Sequence, residues 1–272
     1  WVDIHGRGVY RWNLADVEPE RMAAPERVGW VIPLDEPPSK VLLGLQCGFT
    51  RAAYSRGGLS DFQRLADPFD GNRVLRLNDA KIDSSGAIWA GSLNNEDESR
   101  PDGRLFRLDS HGQLTVADGP YCVANGPALS PDERLLLHTD SARRLVYAFD
   151  LDVHAGALSN KRVWRDFSLD EGFPDGMTFD ADGCVWIAHW GAGCISRFDI
   201  DGRLLRRVRL PALNPTNVCF GGARLDRLFV TSARVGLSKE QLAAMPASGA
   251  VFEVDPMDVV GVSISFSTPD WT

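Results

Sequence analysis

The sequence predicts an all-β fold, a six-bladed β-propeller with a central channel. Three observations predict it. Helical periodicity is scarce, and most of the chain is short apolar or alternating runs punctuated by Gly, Asp, Asn and Pro. A unit of strand, turn, strand ending near Asp, then a Gly-containing turn recurs at roughly 40 to 50 residues, the length of one four-stranded blade. Six such starts can be found along the chain. A β-sandwich or barrel is the alternative, but neither requires repetition of this length.

The first, faint copy begins near Trp1 and the second near Val41. The third runs from Ile88-Trp89-Ala90-Gly91 to Leu105-Phe106-Arg107-Leu108-Asp109, and the fourth from Leu135-Leu136-Leu137-His138 to Val146-Tyr147-Ala148-Phe149-Asp150. The fifth joins Val185-Trp186-Ile187-Ala188 to Ile195-Ser196-Arg197-Phe198-Asp199, and the sixth joins Leu228-Phe229-Val230-Thr231 to Val251-Phe252-Glu253-Val254-Asp255. One segment reads as a helix, Ser238 to Met245, with Ser238 as its cap and Pro246 as its stop.

The 272 residues suffice for one large domain, and positions 1–272 are read as a single propeller. The chain opens on Trp1-Val2-Asp3-Ile4, which resembles the middle of a strand, so the N-terminal part of the first blade is expected to precede it. With 44% hydrophobic and 24% charged residues, the composition is that of an ordinary globular protein. The net charge of −8 argues against nucleic acid or an anionic membrane as the main partner, because phosphate binding needs a basic patch. It leaves room for a metal cation. No apolar run reaches the roughly 18 residues of a membrane span. The five cysteines, without CxxC spacing, read as free thiols of a reducing compartment, and the cytoplasm is the expected location. Cys184 and Cys194 could face each other across a hairpin.

A polar position recurs in phase with the repeat. Ten residues before the strand starts at Ile88, Leu135 and Val185 stand Asn78, Asn125 and Asp175. The same step from Leu228 reaches Val218, beside Asn217, and one extra residue in the Gly221-Gly222 turn would restore the phase. In a propeller the innermost strand of each blade lines the channel, so equivalent positions converge there. Two amides and a carboxylate would form an oxygen-rich site for a divalent cation. The alternative is that Asn and Asp, as turn formers, simply begin strands. The same step from Trp1 falls before the chain starts.

Arg76-Leu77-Asn78-Asp79-Ala80-Lys81-Ile82-Asp83 with Gly86 spells RxNDxKxDxxG, which resembles a motif of the senescence marker protein/gluconolactonase family, a family that includes regucalcin. Asn125-Gly126 with Ser130-Pro131-Asp132 is similar to its NG…SPD motif, and Pro174-Asp175-Gly176-Met177 to its PDGM motif. Cys219-Phe220-Gly221-Gly222 resembles its CFGG signature, and Gly91-Ser92-Leu93 replaces the commoner Gly-Thr-Met. The resemblance implies one divalent ion, Ca, Zn, Mn, Mg or Fe(II), held by Asn125, Asp175 and a Glu whose motif would precede Trp1. It also implies that Arg76, Asn78 and a loop glutamate carried over to Glu96 bind substrate.

Such a set could hydrolyse a sugar lactone. A divalent metal can polarise the ester carbonyl or lower the pKa of water, and Asp175 is the candidate base. A metal-bound carboxylate is a weaker base than a free one, so Asp175 could instead orient the nucleophile. Arg76 offers five donors in a rigid fork, and Asn78 can both donate and accept. Asp79 alternates away from Asn78 and reads as structural. His138 and His189 follow strands and read as structural rather than as ligands. No GxSxG elbow or Ser-His-Asp set is present. The expected activity is metal-dependent opening of an aldonolactone such as glucono-, xylono- or arabinonolactone. The alternatives are a hydrolase of another ester or phosphotriester, and a non-enzymatic metal-binding regulatory propeller.

Overall fold

The computed structural model describes residues 1–13, 15–34, 39–263, 266 and 269–271. Its strands form six antiparallel meanders, each built from consecutive strands, and these are the six blades of a β-propeller. The starts read from the sequence at Val41, Ile88, Leu135, Val185 and Leu228 fall in the second strands of five of these sheets.

The chain divides into two compact units. Residues Trp1–Ala124 with Phe266–Thr272 make the first. It holds β1 (Val2–Asp3), β2 (Gly8–Arg11) and β3 (Glu20–Ala23) in one sheet, and β4 (Val28–Pro33), β5 (Lys40–Leu45), β6 (Gly48–Ser55) and β7 (Gly58–Ala66) in the next. Its third sheet is β8 (Leu75–Ile82), β9 (Ile88–Asn94), β10 (Gly103–Leu108) and β11 (Leu114–Tyr121). Trp271 packs into the core of this unit, and its indole N–H donates to Asp109 O at 2.9 Å.

Residues Asn125–Ser265 make the second unit. Its first sheet is β12 (Ala124–Leu129), β13 (Leu135–Asp140), β14 (Leu145–Asp152) and β15 (Ala157–Asp166). The next is β16 (Phe173–Phe179), β17 (Val185–Trp190), β18 (Cys194–Phe198) and β19 (Leu204–Arg209). The last is β20 (Asn214–Gly221), β21 (Arg227–Ala233) and β22 (Val251–Val254). Between β21 and β22 lies the expected helix, α1 (Lys239–Ala244), whose N-terminus is closed by a reciprocal pair, Ser238 with Gln241. Among the described residues no helix is long and apolar enough to cross a membrane.

Within each unit the cores lie between consecutive sheets, which explains why the middle strands are apolar on both faces. Along β5, Val41, Leu43 and Leu45 pack towards the preceding sheet with Val9 and Met22. Leu42, between them, packs the other way with Leu77 and Ile88. In β17, Val185 and Ile187 join one cluster with Phe167 and Phe198, while Trp186 and Ala188 join another with Val218 and Leu228. Alternate side chains of a strand point to opposite faces, so a strand covered on both sides reads as a continuous apolar run.

A buried aspartate closes the turn before two of these strands. Asp83 accepts the Ala87 N–H and the Trp89 indole N–H, the latter at 2.8 Å. Asp180 accepts the Cys184 N–H and, at 3.0 Å, the Trp186 indole N–H. All five cysteines are free. Val185 lies opposite Phe198 and His189 opposite Cys194, so Cys184 and Cys194 sit at opposite ends of their hairpin and do not face each other.

Candidate functional site

At Asn78 and at Asp175 the recurring polar position is a β-bulge. Leu77 lies opposite Ser92 and Ala80 opposite Ala90, so Asn78 and Asp79 together face the single residue Gly91. Pro174 lies opposite His189 and Met177 opposite Ile187, so Asp175 and Gly176 share Ala188. The extra residue re-aims side chains that strict alternation would send elsewhere. Asn78 and Asp175 each precede a turn-closing residue, Asp83 or Asp180, by five positions. Asn125 precedes Ser130 by the same five positions, and Ser130 closes the corresponding turn by donating its N–H to Leu135 O at 3.0 Å, as Asp83 and Asp180 donate theirs to Ala87 O and Cys184 O. The three residues therefore share one structural position. Asn78 and Asp175 sit inside their strands and not at the start, because β8 and β16 remain paired before the bulge, whereas Asn125 is the second residue of β12.

In β20 the register moves the equivalent position from Asn217 to Thr216. Pro215 lies opposite Ser232 and Val218 opposite Val230. The turn between Phe220 and Leu228 is two residues longer than that between Phe179 and Val185, where the sequence reading allowed one. Asn217 instead matches Asp79. Each accepts the next residue's N–H at 2.8 Å, Val218 in one case and Ala80 in the other. Gly176 makes room for the Asn217 amide, which a Cβ there would displace.

In the first unit the bulge brings Arg76 and Asn78 together. Arg76 is buried (7% exposed), and its Nη1 donates to Asn78 Oδ1 at 2.6 Å and to Leu77 O at 3.2 Å. Its Nε donates to Asn95 Oδ1 at 3.0 Å, and Asn78 Nδ2 donates to Ala124 O at 2.8 Å. The guanidinium is thus oriented by two amides. Glu96 lies one residue beyond Asn95 and is exposed. It lines an open hollow with Asn72, Leu75, Asn94, Asp97, Arg100 and Asp102, and neither Arg76 nor Asn78 lines that hollow. Asn94, itself buried, shapes this loop by accepting the N–H groups of Glu96 and Asp97, both at 3.0 Å. Arg100, then Asn94, hold the Asp102 carboxyl below the usual range.

In the second unit Asn125 and Asp175 approach through Ser141. Asn125 is buried, and its Nδ2 donates to Ser141 Oγ at 2.9 Å. Ser141 Oγ in turn donates to the carbonyl of Pro174, the neighbour of Asp175, at 2.6 Å. β12 and β16 also meet at Gly126, where a Cβ would stand 3.0 Å from Met177 Cε. Asp175 itself is half-buried. Among the described residues no three His, Cys, Asp or Glu side chains gather as a metal-binding group. An amide oxygen and a carboxylate are hard donors, and the link of Asn125 through Ser141 to the neighbour of Asp175 fits part of a divalent-cation site.

Residues 1–234 match the family described as SMP-30/Gluconolactonase/LRE-like region. The chain belongs to this family. It is 34% identical over 260 residues to the 6-deoxy-6-sulfogluconolactonase of Pseudomonas putida, covering 93% of this chain and 84% of that one. It is 32% identical over 266 residues to regucalcin of Danio rerio, covering 96% and 88% of the two chains. The solved structure of a calcium-binding protein, regucalcin, from Agrobacterium tumefaciens superposes with a TM-score of 0.88 at 26% identity, covering 97% and 87%.

Within this SMP-30/gluconolactonase chain, His189 has a structural setting. It is fully buried, its Nδ1 donates to Glu171 O at 2.8 Å, and its ring packs against Phe167. Burial lowers its pKa from 6.5 to about 4, so it is neutral at ordinary pH. His138 is equally buried, in β13 opposite Tyr147. Sequence reasoning missed Ser141 and Asn95. Ser141 stands beside Asp140 in a 3-10 turn at Ser141–Arg143, with no motif of its own, and Asn95 lies in a loop of variable length. Nothing in their spacing marks the partners they meet.

Proposed function

We propose that this protein opens an aldonolactone to the free aldonic acid with the help of one divalent cation. As a member of the SMP-30/gluconolactonase family the chain is a lactonase. The observation that carries the finer reading is the shared phase of Asn78, Asn125 and Asp175, each five residues before the residue that closes the first hairpin turn of its sheet, with a bulge at Asn78 and at Asp175.

Arg76 and Asn78 bind and orient the sugar. The guanidinium, pre-set by Asn95 and Asn78, donates to the lactone oxygens, and the Asn78 amide pairs with a ring hydroxyl. Asn125 and Asp175 hold the cation, which when bound supplies Lewis-acid polarisation. The Asp175 carboxylate takes a proton from the attacking water. The water oxygen bonds to the lactone carbonyl carbon, the ring C–O bond breaks, and the ring oxygen leaves protonated as a hydroxyl. An amide and a carboxylate as ligands suit Ca, Mn, Mg, Zn or Fe(II). The cytoplasm fits the five free thiols.

A lactone panel tests this reading. Metal-stripped protein is assayed with glucono-, xylono-, arabinono- and 6-deoxy-6-sulfogluconolactone, the last because the Pseudomonas putida relative is named for it. Single metals are then added back. Hydrolysis of at least one aldonolactone, lost on stripping and restored by a divalent ion, is expected. Metal-independent turnover, or hydrolysis only of non-sugar esters, would refute it.

A further inference from the structure

We propose that Ser141 is a positioning residue for the cation site, and that it decides which atom of the Asn125 amide faces the ion. The inference rests on the reading of Asn125 and Asp175 as ligands. Ser141 and Asn125 are both buried, each 7% exposed. Ser141 Oγ lies 2.6 Å from Pro174 O and 2.9 Å from Asn125 Nδ2. A carbonyl oxygen cannot donate, so the hydroxyl's single proton is committed to Pro174. Towards Asn125 the hydroxyl can then offer only lone pairs. The amide NH₂ satisfies them, whereas a flipped amide would set oxygen against oxygen with no proton between. The polarity thus runs in one direction, from Asn125 Nδ2–H through Ser141 Oγ–H to Pro174 O. It turns Asn125 Oδ1 away from Ser141, and oxygen is the amide atom a hard cation accepts. The same hydroxyl ties down the bulge that carries Asp175.

Groups that orient metal ligands in this way commonly govern affinity by 10- to 100-fold. The test is calorimetric titration of metal-stripped protein with Ca²⁺, Mn²⁺ or Zn²⁺ alone. Ser141→Ala should weaken binding of the ion that the wild type takes by roughly ten- to a hundredfold, and Ser141→Thr, which keeps a hydroxyl, should restore most of it. In an Asn125→Asp background both side-chain tips are oxygens, so removing the serine hydroxyl should cost less. If Ser141→Ala does not fold, Ser141→Cys, a weak acceptor, carries the same expectation. Wild-type affinity in Ser141→Ala, with binding abolished in Asp175→Ala, would overturn the positioning role and leave the ligand reading intact. An equal loss in the Asn125→Asp background would overturn it as well. Failure of the wild type to bind any of the three ions, or undiminished binding by Asp175→Ala, would refute the ligand reading and this proposal with it.

Discussion

Arg76 Nη1 donates to Asn78 Oδ1 at 2.6 Å, so the two polar residues of the RxN segment act as one preset unit. Arg76→Ala should lower kcat/KM for the lactone by roughly ten- to a hundredfold, the worth of a charged hydrogen bond of about 1.5–3 kcal/mol. Its cation content should stay normal. Arg76→Lys should recover little, because an ammonium cannot hold Asn95 and Asn78 in one plane. Steady-state kinetics with metal analysis checks this, and lost metal with unchanged sugar affinity would reverse the assignment.

Asp175→Asn removes the negative ligand and the candidate base in one change. Turnover should fall below that of Arg76→Ala, and cation affinity should drop with it. Elemental analysis of dialysed protein beside the kinetics measures both. Wild-type turnover in this variant would remove Asp175 from the chemistry.

Arg197 is held by two aspartates of very different burial, which makes a controlled comparison. Its Nε donates to Asp180, fully buried, at 2.7 Å, and its Nη2 to Asp182, 65% exposed, at 2.8 Å. Asp180 also accepts the Trp186 indole and turn N–H groups. Asp180→Ala should destabilise the protein by about 3–5 kcal/mol, since it strands partners inside the fold. Asp182→Ala should cost less than about 1 kcal/mol. Urea midpoints of the two variants decide it, and equal losses would contradict the burial argument.

His189 makes stability depend on pH in the acid range. Burial lowers its folded-state pKa from 6.5 to about 4, so the unfolded chain takes up the proton first as pH falls. The contribution is fully present above pH 6.5 and is lost progressively down to about pH 4. Its size is on the order of 3 kcal/mol. His189→Gln keeps a donor for Glu171 O and cannot titrate, so the stability difference between pH 7 and pH 4.5 should narrow. Denaturant unfolding at the two pH values measures it, and an unchanged difference would show that other groups carry the acid sensitivity.

The repeat was legible in the sequence because each blade must bury both faces of its middle strands and turn sharply between them. That requirement writes apolar runs such as Val185 to Ala188 at regular spacing. It also writes local pairs such as Asp180 with Trp186, whose six-residue separation is set within one hairpin. The shared phase of Asn78, Asn125 and Asp175 was legible for the same reason. The tertiary structure decided what depends on register and on partners distant in the chain. Two extra residues in one turn put Thr216, not Asn217, at the recurring position, and a turn's length cannot be converted to register without seeing which carbonyls it pairs. The bulges, the orientation of Arg76 by Asn95 and the clasp of Asn125 by Ser141 belong to the same class. A hydrogen bond between residues 16 or 19 positions apart leaves no periodic trace, because folding alone brings its donor to its acceptor.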